Sequence, residues 1–162
     1  MKKQILREMG KIYRTLNSFT DFLVKPMQLE KGQYQFLVRI DEHPGLNQQS
    51  LSDLLLVDKT TTAKAVNKLV EKGYITKQRS EKDKRNFKLF LTERGESICS
   101  FLRKEEQFAI HTALNHVSNQ EAEQLLEQMV EINKNIHHLY QGIKENSKED
   151  YIKLIQEGFE DS

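Results

Sequence analysis

Between Asn47 and Gly95 the chain sets out an order of parts that few folds can accommodate: a short helix, a tight turn, a second helix studded with Lys and Thr, and a basic two-stranded segment ending in Leu91-Thr92. Asn47 and Asp58 are residue types whose side chains accept backbone N–H groups at a helix start, so each marks an N-cap. The first short helix is expected to turn Leu51, Leu54 and Leu55 inward, and the second to bury Thr62, Val66, Leu69 and Val70 before Gly73 stops it. Residues 74–79 and 87–91 are rich in β-formers, and the Ser80–Asn86 segment between them is polar and turn-like, which predicts a hairpin with a basic tip. A lone hairpin is marginal in water, so this one must lean on the helices beside it.

The rest of the chain reads as helix. Ile5, Met9, Ile12, Leu16, Phe19 and Leu23 step by 4 and 3 alternately, the narrow heptad seam of a helix that Pro26 ends. A second helix over about 31–42 would bury Tyr34, Leu37, Val38 and Ile40 and stop at His43-Pro44-Gly45. Thr92 caps a long helix with Ile98, Phe101, Leu102, Phe108 and Ala109 on its apolar side, and Ser118-Asn-Gln-Glu121 is a capping box. Beyond it Leu125, Met129, Ile132, Ile136, Leu139 and Ile143 form a second seam. Seams of this kind zip helices together, either as an ordinary bundle core or between two subunits. In the tail 146–162, Tyr151, Ile152, Ile155 and Phe159 suffice for a short helix in need of a partner surface. The expected fold is therefore mainly α with a small β-hairpin wing: a winged helix-turn-helix with flanking N- and C-terminal helices, which would be dimerisation helices if the seams join two subunits. The chain of 162 residues is expected to form one domain, with a lobe at 29–95 and flanking helices at 1–25 and 96–145.

Charge is segregated. Residues 59–88 carry ten Lys or Arg against three acids, whereas 92–162 carry seven against fourteen, although the whole chain nets only +1. A positive surface on one part of the fold suits a polyanion, and the alternative is a solvated face. Coupled to the helix-turn-helix order, the basic block points to duplex DNA, whose major groove admits one helix. Candidate contacts on that helix are Lys59, Thr60, Thr61, Thr62, Lys64, Asn67 and Lys68: hydroxyls and the Thr methyl for bases or phosphates, ammonium groups for phosphate. The helix start at Asn47, Gln48 and Gln49 offers backbone N–H groups to phosphate. On the hairpin the candidates are Arg79, Lys82, Lys84, Arg85, Asn86 and Lys88, with Arg85 suited to a narrow minor groove and Asp83 holding the hairpin in shape. The rival is a winged-helix module that binds an acidic protein partner.

Asp83-Lys84-Arg85, Leu91-Thr92 and Gly95 resemble the wing pattern of the multiple-antibiotic-resistance-regulator (MarR) family of bacterial winged-helix transcription factors. Leu69-Val-Glu-Lys-Gly73-Tyr-Ile75 followed by Arg79 is similar to that family's link from recognition helix to wing, and Leu29, Gln33 and Leu37 to the start of its second helix. The match is close over about 29–95 and by pattern only in the flanking helices. The resemblance implies a homodimer in which the first, fifth and sixth helices of both copies interlock, and a pseudo-palindromic operator. It also implies a repressor released by a small aromatic or lipophilic ligand bound between the pairing region and the DNA lobe. Candidate lining residues are Tyr13, Phe19, Phe22, Tyr34, Phe36 and Phe101, most of which read as core ahead of ligand contacts.

Other chemistries find little footing. There is no Gly-rich phosphate loop, nucleophile elbow or paired acid and base, so an enzyme is not expected, and no cofactor is implied. His111 and His116 are five apart, off one helical face, and His137 and His138 are adjacent, so no metal site is expected. Cys99 is the single cysteine and reads as packing, not sensing. Without a 15–30-residue signal pattern or an apolar run of roughly 18 residues, a cytoplasmic setting away from membranes is expected.

Overall fold

The computed structural model describes residues 1–79, 87–145 and 148–158, which fall into two compact units, one within 1–113 and one within 114–162. The first unit contains α1 (Lys2–Val24), a 3-10 turn (Lys25–Met27), α2 (Gln33–Glu42), α3 (Gln48–Leu55), α4 (Lys59–Glu71), β1 (Ile75–Arg79), β2 (Phe87–Leu91) and α5 (Glu93–Ala113). The second contains α6 (Asn119–Glu145) and α7 (Lys148–Glu157).

Local chemistry accounts for where these elements begin and end. Asn47 accepts the Ser50 N–H at 2.9 Å and starts α3, and Asp58 accepts the Thr61 N–H at 2.8 Å and starts α4. The end of α4 is closed by Gly73 at φ 73°, with its N–H donating to the Val70 carbonyl and the Tyr74 N–H reaching back to Leu69. The Thr92 hydroxyl caps α5 by accepting from the Gly95 N–H at 3.2 Å and also donates to the Gly73 carbonyl at 2.7 Å. It therefore fastens the hairpin's exit to the end of α4. At Ser118 the capping box is complete: the Glu121 carboxylate accepts the Ser118 N–H and hydroxyl, and the Glu121 N–H donates back to Ser118 Oγ.

β1 and β2 pair antiparallel, with Ile75 opposite Leu91 and Arg79 opposite Phe87. The outer edge of β2 is covered by the loop before α3, where the Gly45 N–H donates to the Leu89 carbonyl and the Leu89 N–H to Leu46. The hairpin is thus held from both sides, as its marginal intrinsic stability requires.

The core lies where α2, α3, α4, the hairpin and α5 converge, and it holds Val24, Leu37, Ile40, Leu51, Val66, Leu69, Tyr74, Ile75, Leu89, Cys99 and Leu102. Several expectations need correction there. α2 starts at Gln33, not near residue 31, and buries Gln33 and Phe36, while Tyr34 and Val38 are only half-buried. Leu54 and Val70 are exposed, and on α3 Ser52 is buried beside Leu51, its hydroxyl donating to the Val57 carbonyl at 2.6 Å. That bond shapes the turn into α4, and Leu56 there adopts φ 54°. Phe108 is also exposed.

The two heptad seams remain uncovered in the single chain. Ile5, Ile12, Leu16 and Phe19 of α1 are exposed, as are Leu125, Met129, Ile136 and Leu139 of α6. α7 exposes Ile152, Leu154 and Ile155.

Candidate nucleic-acid interface

The turn between α3 and α4 carries no glycine, so its geometry rests on side chains. Ser52 ties the end of α3 to Val57, Asp58 caps α4 at once, and the capped N-terminus of α4 lies at the surface beside Lys59 and Thr60. Hydrogen bonds from Thr61, first from its hydroxyl and then from its backbone N–H, hold the Asp58 carboxyl below its ordinary value. The cap thus stays ionised at neutral pH and complements the positive end of the helix.

Packing of Val66 and Leu69 against the core fixes the rotation of α4 about its axis. Thr60 and Lys64 then lie directly opposite the buried side, with Asn67 on one flank and Lys68 on the other. All four are exposed, as is Lys59. Glu71 continues the Thr60–Lys64 line, and an acid at that point ends the surface a polyanion could follow.

The candidate contacts divide on inspection. Lys59, Thr60 and Lys64 project from the exposed side as expected. Thr61 is exposed, but its hydroxyl is spent on Asp58. Thr62 must be withdrawn: it is fully buried, and its hydroxyl donates to the Asp58 carbonyl at 3.1 Å. Its spacing with Val66 and Leu69 outweighs its place in a run of polar residues. Asn67 accepts from Lys77 at 2.7 Å. Lys68 is drawn away to Glu30, 2.6 Å from the carboxylate, and Lys72 joins the same acid at 3.5 Å while donating to the Gln28 carbonyl at 2.8 Å. The hydrogen bond from Lys68 is the main reason the Glu30 carboxyl lies below its ordinary value.

At the start of α3, the Asn47 side chain is occupied as the cap and the Gln49 amide donates to Asp53 at 2.8 Å; Gln48 is half-buried. Arg79 and Lys88 are exposed on the hairpin strands, and the Arg79 guanidinium lies 6.0 Å from the centre of the Phe87 ring. Lys82, Asp83, Lys84, Arg85 and Asn86 fall outside the described residues.

The expected ligand-lining residues do not form one wall. Tyr13, Phe19 and Phe22 are exposed on α1, and Phe36 belongs to the core, which removes it from the set. Phe101 packs against that core. Tyr34 is half-buried and donates to Asn17 Oδ1, which also accepts from Gln35.

Three polar residues that the sequence did not single out matter here: Glu30, Lys77 and Arg94. The Arg94 guanidinium stacks 4.4 Å from the centre of the Tyr74 ring and donates to the Lys72 carbonyl at 2.8 Å, bracing the end of α4. Strand alternation from the buried Ile75 could have placed Lys77 on the α4 side of β1. No local signal marks Glu30 or Arg94.

Comparison with known proteins agrees with this geometry. A model of the MarR family matches residues 29–87. The HTH-type transcriptional regulator YybA of Bacillus subtilis is 38% identical over 147 residues, spanning 91% of this chain and 98% of that protein. Among solved structures, the transcriptional regulator SlyA superposes with a TM-score of 0.80 at 34% identity, covering 86% of this chain and 98% of that one. A MarR family regulator from Listeria monocytogenes, crystallised with a 26mer DNA, superposes with a TM-score of 0.83 at 32% identity, covering 88% and 95%. With a cationic helix-turn-helix and hairpin in hand and relatives that match along most of its length, the chain belongs to the MarR family of DNA-binding transcriptional regulators.

Proposed function

We propose that two copies of this chain bind a pseudo-palindromic operator in the cytoplasm, each laying α4 in a major groove with its hairpin over the neighbouring minor groove. The observation that carries this reading is the exposed line of Thr60 and Lys64, with Lys59 and Asn67 also exposed, running from the N-terminus of α4. The uncovered apolar seams of α1 and α6 support pairing, since apolar surface repeated at heptad spacing is stable only against another helix. Twofold pairing would set the half-site centres roughly 34 Å apart.

The regulator acts as a repressor, relieved when a small aromatic or lipophilic ligand favours a spacing of the two lobes that does not fit DNA. Each tenfold loss of affinity requires the ligand to prefer that spacing by about 1.4 kcal/mol. The half-buried Tyr34, hydrogen-bonded to Asn17 of α1, a helix that also exposes Tyr13, Phe19 and Phe22, supports a ligand of this type.

Titration of operator duplex across a salt series tests the DNA reading. The expected log-linear fall in affinity should become shallower by about one unit of slope per contact per subunit in Lys59→Ala and Lys64→Ala. A flat salt response in the wild type would overturn it. Sedimentation at DNA-binding concentrations tests pairing, and a monomer there would overturn that part.

A further inference from the structure

Lys77 stands at the middle of β1, opposite Leu89, and its ammonium crosses to α4 to donate to Asn67 Oδ1 at 2.7 Å. An ammonium carries three protons and no lone pair, so it can hold only the carbonyl end of an amide. The usual ambiguity between the O and N ends of an asparagine is therefore resolved by chemistry. One lone pair of the Asn67 carbonyl is taken and the ammonium's positive charge sits beside the other, so an incoming donor is disfavoured there and the NH2 is the end that meets an acceptor on the exposed side of α4.

That matters for which base Asn67 can read. Asparagine recognises adenine with both ends at once, accepting from the N6 amino group and donating to N7. Guanine presents two acceptors in the major groove, O6 and N7, and is met by donors alone. Asn67 held by Lys77 supplies an amide donor with an ammonium beside it.

We infer that Lys77 and Asn67 work as one donor pair that favours guanine at one position of each half-site, with Lys77 as the positioning residue whose bond and charge weaken the adenine contact of Asn67. This rests on α4 lying in the major groove as proposed above.

Enrichment of binding sites from a randomised duplex pool, followed by competition titration of single-base variants, tests it with the full chain. The wild type is expected to favour guanine over adenine by about tenfold at one position per half-site. Asn67→Ala should erase that preference at that position alone. Lys77→Met, at a half-buried strand site where the long apolar stem is kept, should bring adenine within about threefold of guanine or ahead of it. Lys77→Arg retains a donor for Asn67 Oδ1 and should keep the wild-type preference. The inference is overturned if Lys77→Met reads the site as the wild type does, if the wild type prefers adenine at the position Asn67→Ala erases, or if Asn67→Ala weakens all sequences equally, the mark of a phosphate contact. Lys64→Ala separates the two levels. If it weakens binding while the Asn67 and Lys77 variants behave as wild type, only the pair falls; if all three behave as wild type, the placement of α4 falls with it.

Discussion

Lys68 on the exposed side of α4 is paired with Glu30, 38 positions earlier in the chain, with its ammonium 2.6 Å from the carboxylate. The same acid receives Lys72 at 3.5 Å. One carboxylate therefore holds Lys68 of α4 and Lys72 just beyond its end against the segment before α2. Both Glu30 and Lys68 remain about half exposed, so their pairing does little for stability, but under the proposed DNA-binding mode it would compete with phosphate for the Lys68 charge.

Glu30→Gln should consequently bind duplex DNA severalfold more tightly at low salt, with a salt slope steeper by up to about one per subunit and less discrimination against non-operator DNA. Its melting temperature should hardly move. Affinity titrations on operator and random duplex check this, and unchanged binding on both would show that Lys68 does not reach the DNA.

Asp58 provides a pH-dependent prediction. Its carboxyl lies below the ordinary value because Thr61 donates to the ionised form, so its contribution to stability is present above the unfolded-state value and is lost as pH falls through the lower folded-state value. Asp58→Asn keeps an oxygen for the Thr61 N–H and should stay close to wild type at neutral pH while losing this part of the acid dependence. Asp58→Ala should unfold at lower urea at neutral pH, with the deficit shrinking on acidification. Urea titrations at several pH values below neutrality distinguish the three proteins.

Gly95 sits against the Tyr74 carbonyl so closely that an added methyl group would lie well inside 3 Å of the oxygen. Since that oxygen is backbone and also accepts from the Thr92 N–H, it cannot move without loosening the junction of hairpin and α5. Gly95→Ala should cost about 1–3 kcal/mol, seen as a lower denaturation midpoint with an unchanged slope. Stability equal to wild type would show that the junction yields.

Cys99 is buried in the core, and burial pushes its thiol up to about 12. Near neutral pH it should therefore react with iodoacetamide at least about a hundredfold more slowly than a free thiol, and at the ordinary rate once the chain is unfolded in urea. Rapid labelling of the folded protein would reopen a redox role.

The order of elements and the points at which they begin and end were legible in the sequence because they depend on contacts a few residues long. Asn47 and Asp58 each cap with an N–H three positions on, Gly73 supplies the left-handed turn in place, and Ser118 and Glu121 exchange their hydrogen bonds across a single helical turn. The cap at Thr92, which accepts the Gly95 N–H three positions on, was legible for the same reason. Even within this range a polar letter misled: Thr62 looked available for DNA, yet a hydroxyl that can donate to the carbonyl four residues back can be buried at little cost. The tertiary structure alone decided how the cations are used. Lys68 and Lys72 meet Glu30 across 38 and 42 positions, and Arg94 braces Lys72 across 22. Lys77 meets Asn67 only because the hairpin folds back beside α4. The sequence could count these charges, since composition and periodicity are sums over the chain, but which charge is already answered depends on where distant segments come together.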